Sequence, residues 1–148
     1  MNPLNHLKQE LEEKDYTCVI GNEENILFTS KDKGVKPLLD FFQSDEYKKH
    51  TNIYVADKII GKGAAFLLIA MSVKGLYTPI ISESAQDLLF KHHTDVISGE
   101  VVPYIKNRAG DGRCPIESSV VNEDNIEKAL QKINQTLEKL RNNALNNN

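Results

Sequence analysis

Leu4, Leu7 and Leu11 recur at helical spacing among lysines and glutamates, which predicts an amphipathic first helix to about Lys14. Tyr16–Ile20 then reads as a strand and Gly21–Asn25 as a turn. Ile26–Thr29 is the returning strand of a hairpin. Gly34 opens a short helix with Pro37 in its first turn and Leu38, Leu39, Phe41 and Phe42 as its apolar face. A polar connection, Gln43 to Asn52, leads to a strand at Ile53–Ala56. From Ile59 to Met71 the chain is apolar on all sides except for Lys62 and its glycines, which predicts a buried helix.

Leu76–Ile81 is a further strand, in which Pro79 predicts a ladder gap or an edge. Ser82 or Ser84 can cap the helix carrying Ala85, Leu88 and Leu89, and Thr94–Ile97 forms a short fifth strand. Regular periodicity is lost from Gly99 to Ser119, and a loop of that length in a compact domain carries function or is disordered. Asn122 is the expected cap of a long last helix. Its seam of Ile126, Leu130, Ile133, Leu137 and Leu140 suits a coiled coil or a helix laid on a surface.

A hairpin followed by strand–helix alternation implies an α/β fold, three layers deep, around a mixed five-stranded sheet. The expected organisation is one domain over residues 1–148. Its core spans 1–121, its last helix 122–141 and its disordered tail 142–148.

Composition narrows the function without naming it. With 148 residues, 40% hydrophobic and 26% charged, the chain can bury a core without staples. A net charge of −3 with no basic stripe argues against general nucleic-acid binding, and no apolar run could span a bilayer. Two distant cysteines, Cys18 and Cys114, and a start without a basic or apolar leader point to a reducing, cytoplasmic setting. No metal-ligand spacing occurs, and His92 and His93 diverge on a helix, so no metal and no cofactor is expected.

Candidate chemistry centres on Val55–Ala64. Asp57 at a strand end could orient a ligand or act as general base, with Lys58 four residues before Lys62 on one helical face. Gly61 and Gly63 would admit a ligand beside the helix start, where unpaired N–H groups attract anions. The structural alternative is an Asp57 cap, tight helix–sheet packing at the glycines, and solvated lysines. In Arg113–Glu117, Pro115 makes Cys114 the cap of a short helical turn, where Arg113 and the dipole would favour a thiolate. Glu117 would close that turn or serve as an acid–base group. Alternatively Cys114 is a small buried hydrophobe, as Cys18 is expected to be. Ser30–Gly34 is a third, weaker candidate, and Tyr104, Asn107 and Arg108 could close over the site.

Several blocks carry a family resemblance. They are Leu27–Ser30, Gly34–Leu39, Val55–Ala65, Ile81–Glu83, Val102–Ile105 and Cys114–Glu117. Together they resemble an uncharacterised prokaryotic family with a cytidine-deaminase-like fold that lacks the deaminase zinc site. Zinc deaminases open one helix with a His or Cys two residues before a Glu, and the next with Pro-Cys-x-x-Cys. Here the corresponding starts, Gly34–Pro37 and Asp57–Lys58, hold no ligands, so the resemblance implies the fold and a pocket without zinc hydrolysis. Asp57, Lys58, Cys114 and Glu117 are the expected catalytic residues. Gly61, Lys62, Gly63 and Arg113 are the expected ligand contacts. A metal-independent enzyme on a nucleotide-like or other small anionic substrate leads. A non-catalytic metabolite-binding module and a self-associating structural protein follow, the last through a homo-oligomer of the C-terminal helix.

Overall fold

The computed structural model describes residues 2–106, 110 and 112–146. Asn2 caps α1 (Pro3–Glu13) by accepting from the Leu4 N–H, and Leu4, Leu7 and Leu11 are buried as the spacing predicts. β1 (Cys18–Gly21) and β2 (Ile26–Ser30) form the antiparallel hairpin, with the Asn22 carboxamide holding the turn N–H groups of Glu24 and Asn25. α2 (Lys36–Gln43) follows. A single 3-10 turn, Glu46–Lys49, interrupts the connection.

β1 then pairs antiparallel with β3 (Tyr54–Asp57), and β3 runs parallel to β5 (Gly75–Ser82). β4 (Ile59–Ile60) pairs with β5 further along on the same side, and β6 (Asp95–Val102) lies parallel to β5 on the other. The sheet therefore has six strands, not five. The additional strand is Ile59–Ile60, which was expected in the helix. It continues β3 in unchanged register after a break opposite Thr78 and Pro79. Proline has no N–H to give, so the gap predicted from Pro79 is present, in a central strand and not at an edge.

The buried helix α3 (Lys62–Ala70) begins three residues later than the apolar run suggested. Ser82 caps α4 (Glu83–Lys91) by accepting from the Ala85 N–H. α5 (Pro115–Ser119) starts after Cys114, and α6 (Ile126–Asn146) is capped by Asn125, not Asn122, through the Lys128 N–H at 3.0 Å. α6 includes residues expected in the tail.

Three layers result. α1 alone covers one sheet face, over Val19, Tyr54 and Ala56. On the other face α3 packs against α2, α4, α5 and α6, over Ile20, Val55, Leu76 and Ile81. The α6 seam of Ile126, Leu130, Ile133 and Leu137 is spent on this core, as a helix laid along a surface. Among the described residues no helix is long and apolar enough to cross a membrane.

Candidate functional site

Side chains alternate between the faces of a strand, so Asp57 and Lys58 leave β3 in opposite directions. The chain does not turn into a helix at this point, and the pair shares no helical face with Lys62. Lys58 points to the α1 side, where its ammonium meets Asp15 Oδ1 at 2.9 Å. Asp57 points inward and is only 5% exposed. It caps no helix: its Oδ1 accepts from the N–H of Ile59, the first residue of β4, at 3.2 Å.

The partner of Asp57 is one that sequence reasoning assigned to structure alone. Cys18 stands directly across from it in the β1–β3 register, and its thiol is hydrogen-bonded to the carboxyl. No cation offsets this buried acid among the described contacts. Desolvation pushes Asp57 from its ordinary 3.8 up to about 7, against the weaker opposing pull of the Ile59 N–H and the Cys18 thiol. Burial, then the adjacent carboxyl, raises the Cys18 thiol well above its usual range, so it stays a thiol and a donor.

A second cluster sits at the carboxyl rim of β4, β5 and β6. Glu117 is buried, and its Oε2 accepts from the Ile105 N–H at 2.7 Å while Oε1 takes the Ser84 hydroxyl at 3.4 Å. The Ile105 carbonyl accepts from the Cys114 N–H at 2.8 Å, so Cys114, Ile105 and Glu117 form one hydrogen-bonded unit. Glu117 therefore does not close its own turn as a capping box, because the N–H it would reach is already donated to Ile105. Cys114 is half-buried against the core at the start of α5, with no side-chain cap bond.

Gly61 and Gly63 are glycines because this cluster presses on the start of α3. A Cβ at Gly61 would lie 3.0 Å from Glu117 Oε2, and one at Gly63 would lie 2.8 Å from Ile116 Cγ2. Their closeness serves packing of α5 on α3. Lys62 is buried between them, its ammonium donating to the Val121 carbonyl at 3.0 Å and lying 5.7 Å over the Phe66 ring. An open depression of about 470 Å³ adjoins Lys62 and Ser84 and is bordered by Asp87, Lys91 and Asp124.

The structure thus unites Gly61, Gly63, Cys114 and Glu117 and sends Lys58 to the opposite face. Asp57 lies four residues before Gly61, at most roughly 13 Å along an extended strand. It ends β3, before the break and β4, and is not part of the rim's hydrogen-bonded unit. Arg113 stacks on Tyr104 at 5.0 Å, while Asn107 and Arg108 lie outside the described residues. Ser30–Gly34 is fastened to the surface by Thr17, whose hydroxyl donates to the Ser30 and Asp32 carbonyls. Cys18, Ser84 and the Ile105 N–H are the site groups that sequence reasoning missed. Alternation put Cys18 on the correct face, but its partner depends on β1 lying beside β3.

The starts of α2 and α3, Val35–Pro37 and Gly61–Gly63, supply no thiolate, imidazole or carboxylate, so a deaminase zinc does not fit them. Among the described residues no three His, Cys, Asp or Glu side chains are grouped closely enough to hold a metal ion.

Comparison with known proteins places this geometry in a wider set. The family model described as TM1506, domain of unknown function (DUF1893), matches residues 6–137. A crystal structure of a DUF1893 family protein (TM1506) from Thermotoga maritima is similar with a TM-score of 0.78 and 28% sequence identity. The similarity covers 92% of this chain and 88% of that one. No curated protein matches.

Proposed function

We propose that this chain, which belongs to the DUF1893 family, is a zinc-independent domain of cytidine-deaminase-like architecture that acts on a small nucleotide-like or other polar metabolite. The ligand sits at the carboxyl rim of the parallel strands, and Asp57 is the proton-transfer group. One observation carries the reading. A carboxyl is buried with a thiol and one backbone N–H and no cation, an arrangement that costs stability and that packing alone does not require.

An acid held near neutrality can both give and take a proton at physiological pH. The Ile59 N–H fixes Oδ1, and it and the Cys18 thiol favour the ionised form against desolvation. Ligands of open parallel strands bind outside their carboxyl ends, which favours the depression beside Lys62 and Ser84 as the ligand's seat. Next to Ser84, Glu117 holds the Cys114–Ile105 segment, and Gly61 and Gly63 let α5 pack on the start of α3. Lys62 and Glu117 already bond internally, which suits a fixed frame and keeps a non-catalytic binding module as the second reading.

The test is a thermal-shift screen with nucleosides, nucleotides and phosphorylated sugars, followed by turnover of each hit by proton NMR. A true ligand at a hundredfold excess over Kd stabilises by about 2.7 kcal/mol. Asp57→Asn is expected to keep that stabilisation and to lose turnover. Ligand stabilisation without turnover of the wild type would favour the binding module, and undiminished turnover in Asp57→Asn would overturn the catalytic reading.

A further inference from the structure

α3 begins with Lys62, and its first turn holds no acidic residue. A cation is the disfavoured charge at a helix start, so helix electrostatics give no reason for a lysine there. The residue is only 7% exposed. The Val121 carbonyl takes one of its three ammonium protons at 3.0 Å, and the Phe66 ring lies 5.7 Å away. Among the described residues no carboxylate pairs with it. A buried ammonium without a counter-ion is costly, and methionine would fill the same space at less cost.

Lys62 lines the open depression of about 470 Å³ beside α4. The inner wall is formed by Lys62, Leu88 and the half-buried Ser84, so it is positive and otherwise uncharged. Ser84, Asp87, Leu88 and Lys91 recur at helical spacing and share one face of α4. Asp87, Lys91 and, from the connection into α6, Asp124 are exposed and form the rim. Among the described residues none of these three is in an ion pair. The depression therefore holds one cation inside and a net negative charge at its mouth. Phe90, 81% exposed, adds an apolar lip.

That order of charge discriminates between ligands. A phosphate dianion would find a single ammonium inside and two carboxylates at the entrance. A carboxylate carries one charge and matches the one ammonium. A second, positive group on the same ligand turns the acidic rim from a barrier into a partner.

We propose that this depression, on the reading above that it is the ligand's seat, takes a zwitterionic amino acid with an apolar side chain. Its carboxylate lies on the Lys62 ammonium and the Ser84 hydroxyl, and its ammonium faces Asp87 and Asp124. Leu88 and Phe90 take the side chain. The inner pair is desolvated and carries most of the affinity, whereas the rim pairs sit in water and mainly set selectivity.

The test is a thermal-shift series, with calorimetry on the hits. The probes are free apolar amino acids, their N-acetyl derivatives, the corresponding primary amines, adenosine monophosphate and glucose 6-phosphate. At least one free amino acid is expected to raise Tm. Its amine, which lacks the carboxylate, is expected to bind about a hundredfold more weakly, and its N-acetyl form about fivefold. Lys62→Met should match the loss of the carboxylate without lowering the stability of the unliganded protein. Asp87→Asn with Asp124→Asn, both on the surface, should match the loss of the ammonium. Asp57→Asn should bind as the wild type does. Stabilisation by the phosphates and by no amino acid overturns the zwitterion and leaves the seat and Asp57 in place. Amino-acid binding undiminished in both the Lys62 and the rim variants overturns the seat itself. No response to any amino acid overturns this inference alone, because the titration of Asp57 is measured independently of Lys62.

Discussion

Between about pH 4 and pH 7 the wild type is expected to lose roughly 4 kcal/mol of folding stability that Asp57→Asn does not lose. The sign follows from proton counting. Unfolded, Asp57 ionises near its ordinary 3.8; folded, it holds its proton until about 7. Within that window the native state binds the extra proton, so raising pH favours unfolding. Below it both states are protonated, above it both are ionised, and the loss is complete. Asparagine keeps the shape, can accept from the Ile59 N–H and the Cys18 thiol, and has nothing to ionise. The two proteins should therefore match near pH 4 and diverge upward, with the variant the more stable at pH 8. Urea denaturation across this range, read as the difference between the two, removes the contribution of the histidines. A variant less stable than wild type at pH 8 would mean the carboxylate is ionised and stabilising.

Glu117→Ala is expected to cost about 3 kcal/mol, the second largest effect. Truncation removes the acceptor of a 2.7 Å bond from the Ile105 N–H and strips a partner from Ser84. It also opens a void against Gly61, where a Cβ would lie 3.0 Å from that carboxylate. The Cys114–Ile105 bond then loses its anchor, so the amide of Ile105 should exchange with solvent much faster. Glu117→Gln offers an amide oxygen of the same reach and should recover most of the loss. Equal costs for the two substitutions would mean that charge, not the bond to Ile105, holds this segment.

How much of this was legible depended on whether a signal was local. Burial of α3 followed from its unbroken apolar composition, the ladder gap from Pro79, and the caps of α4 and α5 from Ser82 and Cys114–Pro115. Ile59–Ile60 was misassigned because a short apolar run fits a buried strand and a buried helix equally well. The start of α3 shifted with it, and Lys58 moved from Lys62's side to the opposite face. Gly99 hid the second half of β6, since a glycine between short apolar pairs breaks the strand pattern. The pairing of Asp57 with Cys18 was out of reach for another reason. It depends on β1 sitting between β2 and β3, a long-range register that no local pattern encodes. Family membership, DUF1893, was foreshadowed by the resemblance to an uncharacterised family.

The most direct test is a carbon-13 NMR titration of aspartate-labelled protein, with the Asp57 carboxyl resonance assigned by its absence in Asp57→Asn. A midpoint near 7 is the result predicted for a desolvated acid beside a thiol. A resonance already ionised at pH 5 would contradict it and leave the buried pair without a chemical role.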